Sequence, residues 1–132
     1  MCACFLLAVA MLLQCATGAE PKRPQKAPVE VWSGGDDGLT QRLKAAIEKE
    51  FESSVDFQMS EGKKPGTLVV TIPSNVSWRQ KGEKTQVLYT IDFASPDGRS
   101  LGVSKGHCWD DDLERCSIRI VSDARAAARK AR

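Results

Sequence analysis

The sequence predicts an α+β domain in which one long amphipathic helix and a short C-terminal helix accompany an antiparallel β-meander. Apolar residues recur at three- and four-residue spacing over residues 38–53, which is typical of a helix with one buried face. Several later segments alternate apolar and polar residues or are rich in β-branched residues, as strands are. Of the five cysteines, only Cys108 and Cys116 lie outside the N-terminal segment, and this pair predicts a disulfide.

The N-terminal segment, residues 1–19, carries no charge and contains the apolar run FLLAVAMLL. Crossing a bilayer as a helix takes about 20 apolar residues, so this run is too short, but it has the length of a signal-peptide core. The segment ends in TGA, small residues that suit cleavage. An alternative is a lipoprotein signal, since LLQC resembles a lipobox that would leave Cys15 acylated. We expect an exported protein, periplasmic or anchored to the outer membrane, with secretion as the alternative.

Residues 20–28, EPKRPQKAP, combine three prolines with three basic residues and predict an extended tether. Residues 29–132 then have the length of one domain. The formal net charge of +2 is too near neutral to indicate a nucleic-acid partner. We therefore expect no nucleic acid, and membrane contact only through a lipid anchor.

The domain opens with VEVW at 29–32, which predicts a short edge strand that ends at a Ser-Gly-Gly break. The helix follows over about 38–53, and Asp36 and Asp37 are suited to cap its free amides. Its predicted apolar stripe consists of Leu39, Leu43, Ala46, Ile47, Phe51 and Val55.

The middle of the chain predicts strands. Alternation over 55–59 indicates one strand, and LVVTI at 68–72 is apolar enough to be a central one. The pattern resumes at Val76 and Trp78, and the segment 87–93 is the clearest strand of all. A Ser-Pro-Asp-Gly turn closes this strand at 95–98.

Residues 102–121 predict a cystine hairpin, in which two strands flank a short acidic loop. Opposed positions of an antiparallel pair lie about 4.5–5.5 Å apart at Cα, which suits a bond between Cys108 and Cys116. Ser122 then predicts the N-cap of the short C-terminal helix. Beside an alanine stripe, that helix carries a candidate basic face, either solvated or in contact with an anionic lipid or a partner. This face consists of Arg125, Arg129 and Arg132.

The cystine loop is the candidate partner-binding site. A rigid loop loses little entropy on docking, and a tryptophan among charges is typical of an interface anchor. Its candidate residues are His107, Trp109, Asp110, Asp111, Asp112, Glu114 and Arg115. The alternatives are a purely structural staple and a solvated loop; the carboxylate spacing does not match a calcium loop, so we expect no metal and no cofactor.

The sequence favours a non-enzymatic exported binding or envelope-assembly module whose partner is another envelope or secreted protein. An alternative is an inhibitor or immunity protein that blocks an enzyme with the Cys108–Cys116 loop. A small hydrolase that uses His107 with Ser104 or Ser117 is an alternative of another class, although no nucleophile motif fixes such a triad.

The order of elements over residues 39–105 resembles the small outer-membrane lipoproteins of lipopolysaccharide assembly. A helix is followed by the LVVTI strand, the long YTIDF strand, an Asp-Gly turn and a further strand. The resemblance implies a helix laid on a curved sheet and a non-enzymatic partner of an outer-membrane barrel.

Overall fold

The computed structural model describes residues 26–62 and 64–131, which form one six-stranded sheet and two helices. The predicted signal segment, Cys15, the start of the tether and Arg132 lie outside the described residues. The strands are β1 Ala27–Ser33, β2 Phe57–Met59, β3 Leu68–Ile72, β4 Ser77–Lys81, β5 Lys84–Ala94 and β6 Ser100–Trp109. The helices are α1 Gly38–Ser53 and α2 Leu113–Lys130. The α+β class predicted from the sequence is confirmed.

Strand β5 is the axis of the sheet. One of its edges pairs with β6, and the other pairs with β4 and then with β3, all antiparallel. Strand β1 lies between β3 and β2 and runs parallel to both, so the sheet is mixed rather than wholly antiparallel. A strand is present at 29–32 as predicted, but its predicted position at an edge of the sheet is wrong. Helix α1 returns the chain to the start of β1, and β2 then runs beside β1 in the same direction.

Helix α1 has the predicted bounds and the predicted cap. The carboxylate of Asp37 accepts a hydrogen bond from the Thr40 N–H at 2.7 Å, and hydrogen bonding to Thr40 holds the pKa of Asp37 below its ordinary value. The Thr40 hydroxyl, itself fully buried, accepts from the Val76 N–H at 3.0 Å. Val55 lies beyond the C-cap at Ser54 and is 79% exposed, so it does not continue the apolar stripe.

The core lies between the sheet and the helices. Alternate side chains of β5 point into it as predicted, because a strand directs every second residue to one face. These are Val87, Tyr89, Ile91 and Phe93. Phe51 of α1 meets Phe57 of β2 edge to face, with ring centroids 5.0 Å apart, and joins the helix to the parallel part of the sheet.

Helix α2 replaces the predicted second strand of the hairpin and the short terminal helix. Ser122, predicted to be its N-cap, lies in the middle of the helix. The segment Cys116, Ile118, Ile120 alternates as a strand does, but Ile118 is 51% exposed. The buried residues of α2 recur with helical spacing instead. They are Leu113, Cys116, Ser117, Ile120, Val121, Ala124 and Ala127.

The Cys108–Cys116 disulfide is confirmed, with a Cα separation of 5.6 Å. It closes a hairpin of one strand and one helix, since Cys108 lies near the end of β6 and Cys116 lies in the first turn of α2. Both residues are buried, at 5% and 1% exposure. The bond therefore joins the end of β6 to the first turn of α2 where the chain leaves the sheet.

Gly106 of β6 lies close to the Tyr89 ring of β5, so a substitution at this position measures how tightly the two strands pack. A Cβ at position 106 would lie 2.5 Å from the Tyr89 hydroxyl oxygen and 2.9 Å from Cζ of the same ring. We expect Gly106→Ala to lower the free energy of unfolding by about 1–3 kcal/mol in urea titrations, because the ring must shift within a packed core. Adding Tyr89→Phe removes the closest atom, so the loss caused by Gly106→Ala should be smaller in that background.

Gly38→Ala is the matched control, because a Cβ there would meet no described atom within 4 Å beyond its chain neighbours and the backbone of its own helix, and Gly38 begins that helix. Its stability should stay equal to or above that of the wild type. Equal losses from Gly106→Ala with and without Tyr89→Phe would contradict the expected clash with the hydroxyl.

Candidate functional site

The candidate loop is a short corner between β6 and α2. Only three residues, 110–112, join the strand to the helix. The backbone N–H of Asp110 donates to the Thr85 carbonyl at 3.0 Å, and the Asp110 carbonyl accepts from the Arg42 guanidinium at 2.8 Å. The disulfide, β5 and α1 thus hold the corner from three directions.

The predicted aromatic anchor, Trp109, is half-buried rather than fully exposed at this corner. The ammonium of Lys84 lies 5.3 Å from its ring centroid, within the range of a cation–π contact. The Trp109 carbonyl accepts the Asp112 N–H at 2.9 Å. Trp109 therefore contributes to the structure of the corner, and only part of its ring is available to a partner.

The acidic residues fall into two groups. Asp112 forms an ion pair with Arg115, three residues later, at 3.3 Å, while Asp111 and Glu114 are exposed. The Arg115 side chain is itself 80% exposed. Within 26–62 and 64–131, no group of three or more histidine, cysteine or acidic residues is placed to hold a metal ion.

His107 lies on β6 and is exposed. Its Nδ1 is 3.1 Å from the amide nitrogen of Gln86. Ser104 points to the opposite face of the strand and donates to Asp123 at 2.6 Å, and Ser117 donates to the Glu114 carbonyl at 2.7 Å. The structure does not bring His107 together with either Ser104 or Ser117, the serines of the hydrolase alternative.

On the same face of the sheet as Ser104, the phenol of Tyr89 is buried. Tyr89 of β5 is 4% exposed, and burial raises the pKa of its hydroxyl because an apolar setting disfavours the phenolate. The phenol and Ser104 line the contact of β5 and β6 with α2, so they belong to the core rather than to an open site.

The candidate basic face is only partly available. The Arg125 guanidinium is 2.6 Å from the Asp56 carboxylate, a contact that ties α2 to the segment before β2. Arg129 is exposed and lines a shallow recess together with Arg125 and Asp56. The third predicted member, Arg132, lies outside the described residues.

The structure adds a feature that the sequence interpretation missed, the free edge of β6. This ten-residue strand pairs with β5, and no other described strand pairs with it. The Asp110 N–H bonds to β5, and antiparallel pairing alternates, so odd-numbered residues turn their N–H and C=O groups outward. These residues are Val103, Lys105, His107 and Trp109. Two of the predicted partner-binding residues therefore belong to this edge.

A groove of about 360 Å³ runs between the free edge of β6 and helix α2. Its charged lining is mainly basic, with Lys105, Arg119 and Lys130 against Asp123. Asp123 is held by Ser104 and lies 4.0 Å from Arg119. The predicted strand at 116–121 would have paired with β6 and covered this edge. The helical spacing of the buried residues in 113–127 is the sequence signal that this segment is a helix and leaves the edge free.

Neither α1 nor α2 is both long and apolar enough to cross a membrane. No family model matches the chain, and no curated protein sequence matches it. Among solved structures, a minor lipoprotein from Acinetobacter baumannii is similar to this chain at a coarse level, with a TM-score of 0.39 and 16% identity. The match covers 81% of this chain and 91% of that chain.

Proposed function

We propose that the protein is a non-enzymatic binding module that takes up an extended segment of a protein partner along the free edge of β6. The observation that carries the proposal is a ten-residue strand that, among the described strands, is paired on one side only. A strand presents a row of unpaired N–H and C=O groups at a free edge, and an extended peptide can pair with them. The side chains of the added peptide then lie alternately on the two faces of the sheet.

The charge beside β6 selects the partner. Lys105 is the one lysine or arginine of β6, which contains no aspartate or glutamate, and it lies near the middle of the strand. A lysine on an edge strand disfavours indiscriminate strand pairing. With Arg119 and Lys130 in the adjoining groove, the edge favours a segment with acidic side chains.

The disulfide supports a location outside the cytoplasm, since such bonds persist in oxidising compartments. The element order that resembles lipoproteins of lipopolysaccharide assembly would make the partner another envelope protein. Export, and either the periplasm or the outer membrane as the site of action, are parts of the same proposal.

The test is site-specific photo-crosslinking in the native host. A photoreactive amino acid in place of His107, whose side chain is exposed beside the free edge, should give a discrete crosslinked partner. The same group in place of Ile118, exposed on α2, is the control and should not. Lys105→Pro should reduce the His107-position crosslink about tenfold, because proline removes an outward N–H that the strand does not use for β5.

Lys105→Ala is the matched variant, since it removes the charge and keeps the N–H. It should retain more of the crosslink than Lys105→Pro does, and both variants should melt within a few degrees of the wild type. A crosslink of unchanged yield in folded Lys105→Pro would contradict strand addition, and so would equal crosslinking from the control position.

The inhibitor alternative uses the corner instead of the edge. Asp111 and Arg115 are exposed on a corner fixed by the disulfide, as an enzyme-plugging loop requires. Loss of the crosslink in Asp111→Ala/Arg115→Ala, with the crosslink retained in Lys105→Pro, would favour the inhibitor and reject the β6 edge.

A further inference from the structure

A second groove, of about 500 Å³, lies at the other end of the sheet, beside the C-terminal half of β1. It is enclosed by β1, by α1 and by the segment after β2. Its charged lining consists of Glu30, Lys44, Glu48, Glu52 and Glu61. Lys44 is already paired with Glu48 at 3.3 Å, and none of the other three carboxylates takes part in an ion pair among the described residues. The groove is therefore strongly acidic.

Glu30 is the residue that makes this groove more than an acidic patch. Its side chain is only 4% exposed. One carboxylate oxygen accepts from the Trp32 indole N–H at 3.0 Å, and the other is buried without a hydrogen-bond partner among the described residues. The hydroxyl of Ser60, which also lines the groove, is likewise buried and has no partner in the described part of the chain. A buried carboxylate oxygen is costly to leave unpaired, so the site is suited to a cationic donor.

The backbone of β1 is incomplete at the same place. The Ala27 N–H donates to Asp56 and the Val29 carbonyl accepts from Ser60, so the odd-numbered residues of β1 face β2. Val31 is the next residue of this set, but β2 ends at Met59. No backbone hydrogen bond between Val31 and the segment after β2 is present among the described residues. The N–H and C=O groups of Val31 therefore face the groove with no strand beside them among the described residues.

We propose that this groove binds an extended peptide segment rich in lysine or arginine, which continues the line of β2 beside β1. Its backbone pairs with the N–H and C=O of Val31, and one basic side chain donates to the unpaired oxygen of Glu30. Neighbouring side chains of a strand point to opposite faces, so the next basic residue reaches Glu48 and Glu52 on α1. The two faces thus select consecutive basic residues.

The arrangement disfavours a metal ion and goes beyond the function proposed for β6. The four carboxylates are not clustered as metal ligands, whereas a peptide spans their separation. The Trp32 ring, 56% exposed, adds a face that a guanidinium can stack on. Because the groove beside β1 and the free edge of β6 lie in different parts of the sheet and share no lining residue, failure at one groove does not imply failure at the other.

The test is a ¹⁵N-NMR titration of the protein with a pool of acetylated, amidated pentapeptides that carry lysine or arginine at the three central positions. We expect saturable shifts in the amides of 30–33 and 60–62. Glu30→Gln should weaken binding about tenfold or more, since it removes a buried charge that meets a cation but keeps the acceptor for Trp32. Glu52→Gln should weaken binding in the same direction, and Glu114→Gln, exposed outside the groove, should leave it unchanged.

Two further probes separate a strand from a small cation. A pool of the same peptides with N-methylated backbones should bind at least about tenfold more weakly, because it cannot pair with Val31. Ethylguanidinium alone should bind far more weakly than the peptides. No saturable binding at millimolar peptide, equal binding of the N-methylated pool or of ethylguanidinium, or indifference to Glu30→Gln in a folded variant would each overturn the proposal.

Discussion

The double variant Cys108→Ala/Cys116→Ala should lose about 2–3 kcal/mol of unfolding free energy relative to the oxidised wild type. The disulfide closes a short loop, with a sequence separation of 8, and a loop of this length restricts the unfolded chain by about that amount. Alanine is the suitable replacement because both cysteines are buried, and serine would bury a hydroxyl in their place. For a domain of this size the melting temperature should fall by roughly 10–20 °C.

The measurement is chemical unfolding of both proteins with and without a reducing agent. Reduction should lower the stability of the wild type toward that of the double variant and leave the double variant unchanged. A double variant as stable as the oxidised wild type would show that the packing of α2 alone fixes the β6–α2 angle. In that case the disulfide would be dispensable for the fold.

The disulfide also illustrates what the sequence could predict here. The pairing of Cys108 with Cys116 followed from counting cysteines and from the inferred compartment, and neither argument depends on secondary structure. The prediction of a strand around Cys116 was wrong, because Cys116, Ile118 and Ile120 alternate as the residues of a strand do. A longer window favours the helix, since Leu113, Cys116, Ile120 and Val121 lie on one face.

That single error hid the free edge of the sheet. A strand over 116–121 would have paired with β6 and covered the backbone groups of Val103, Lys105 and His107. The corner residues, by contrast, were predictable as a group because they are close in sequence. Their individual environments were not, since the Trp109–Lys84 contact and the Arg42–Asp110 hydrogen bond join distant segments.

The position of β1 within the sheet could not be predicted from the local sequence pattern for a similar reason. The VEVW pattern indicates a strand, but whether that strand lies at an edge depends on where the chain returns after α1. Its parallel pairing with β2 and β3 is a tertiary property. The acidic groove beside Val31 exists only because β2 is shorter than β1, and no residue pattern in either strand indicates that difference.

Phe51→Ala should be strongly destabilising, with an expected loss of about 3–5 kcal/mol in the free energy of unfolding. Phe51 is fully buried, and its ring packs edge to face on Phe57, so truncation leaves a cavity where α1 meets the parallel strands. Urea unfolding monitored by circular dichroism measures the loss. Val55→Ala is the control, because the sequence places Val55 on the same stripe while the structure leaves it 79% exposed.

The comparison of the two variants tests the end of α1 directly. If the helix stops at Ser53, Val55→Ala should change stability by less than about 0.5 kcal/mol, as exposed substitutions do. Losses of similar size from both variants would mean that the apolar stripe continues to Val55, as the periodicity predicts. The same result would move the wall of the acidic groove, since Glu48 and Glu52 lie on the last turns of this helix and depend on the position that Phe51 fixes.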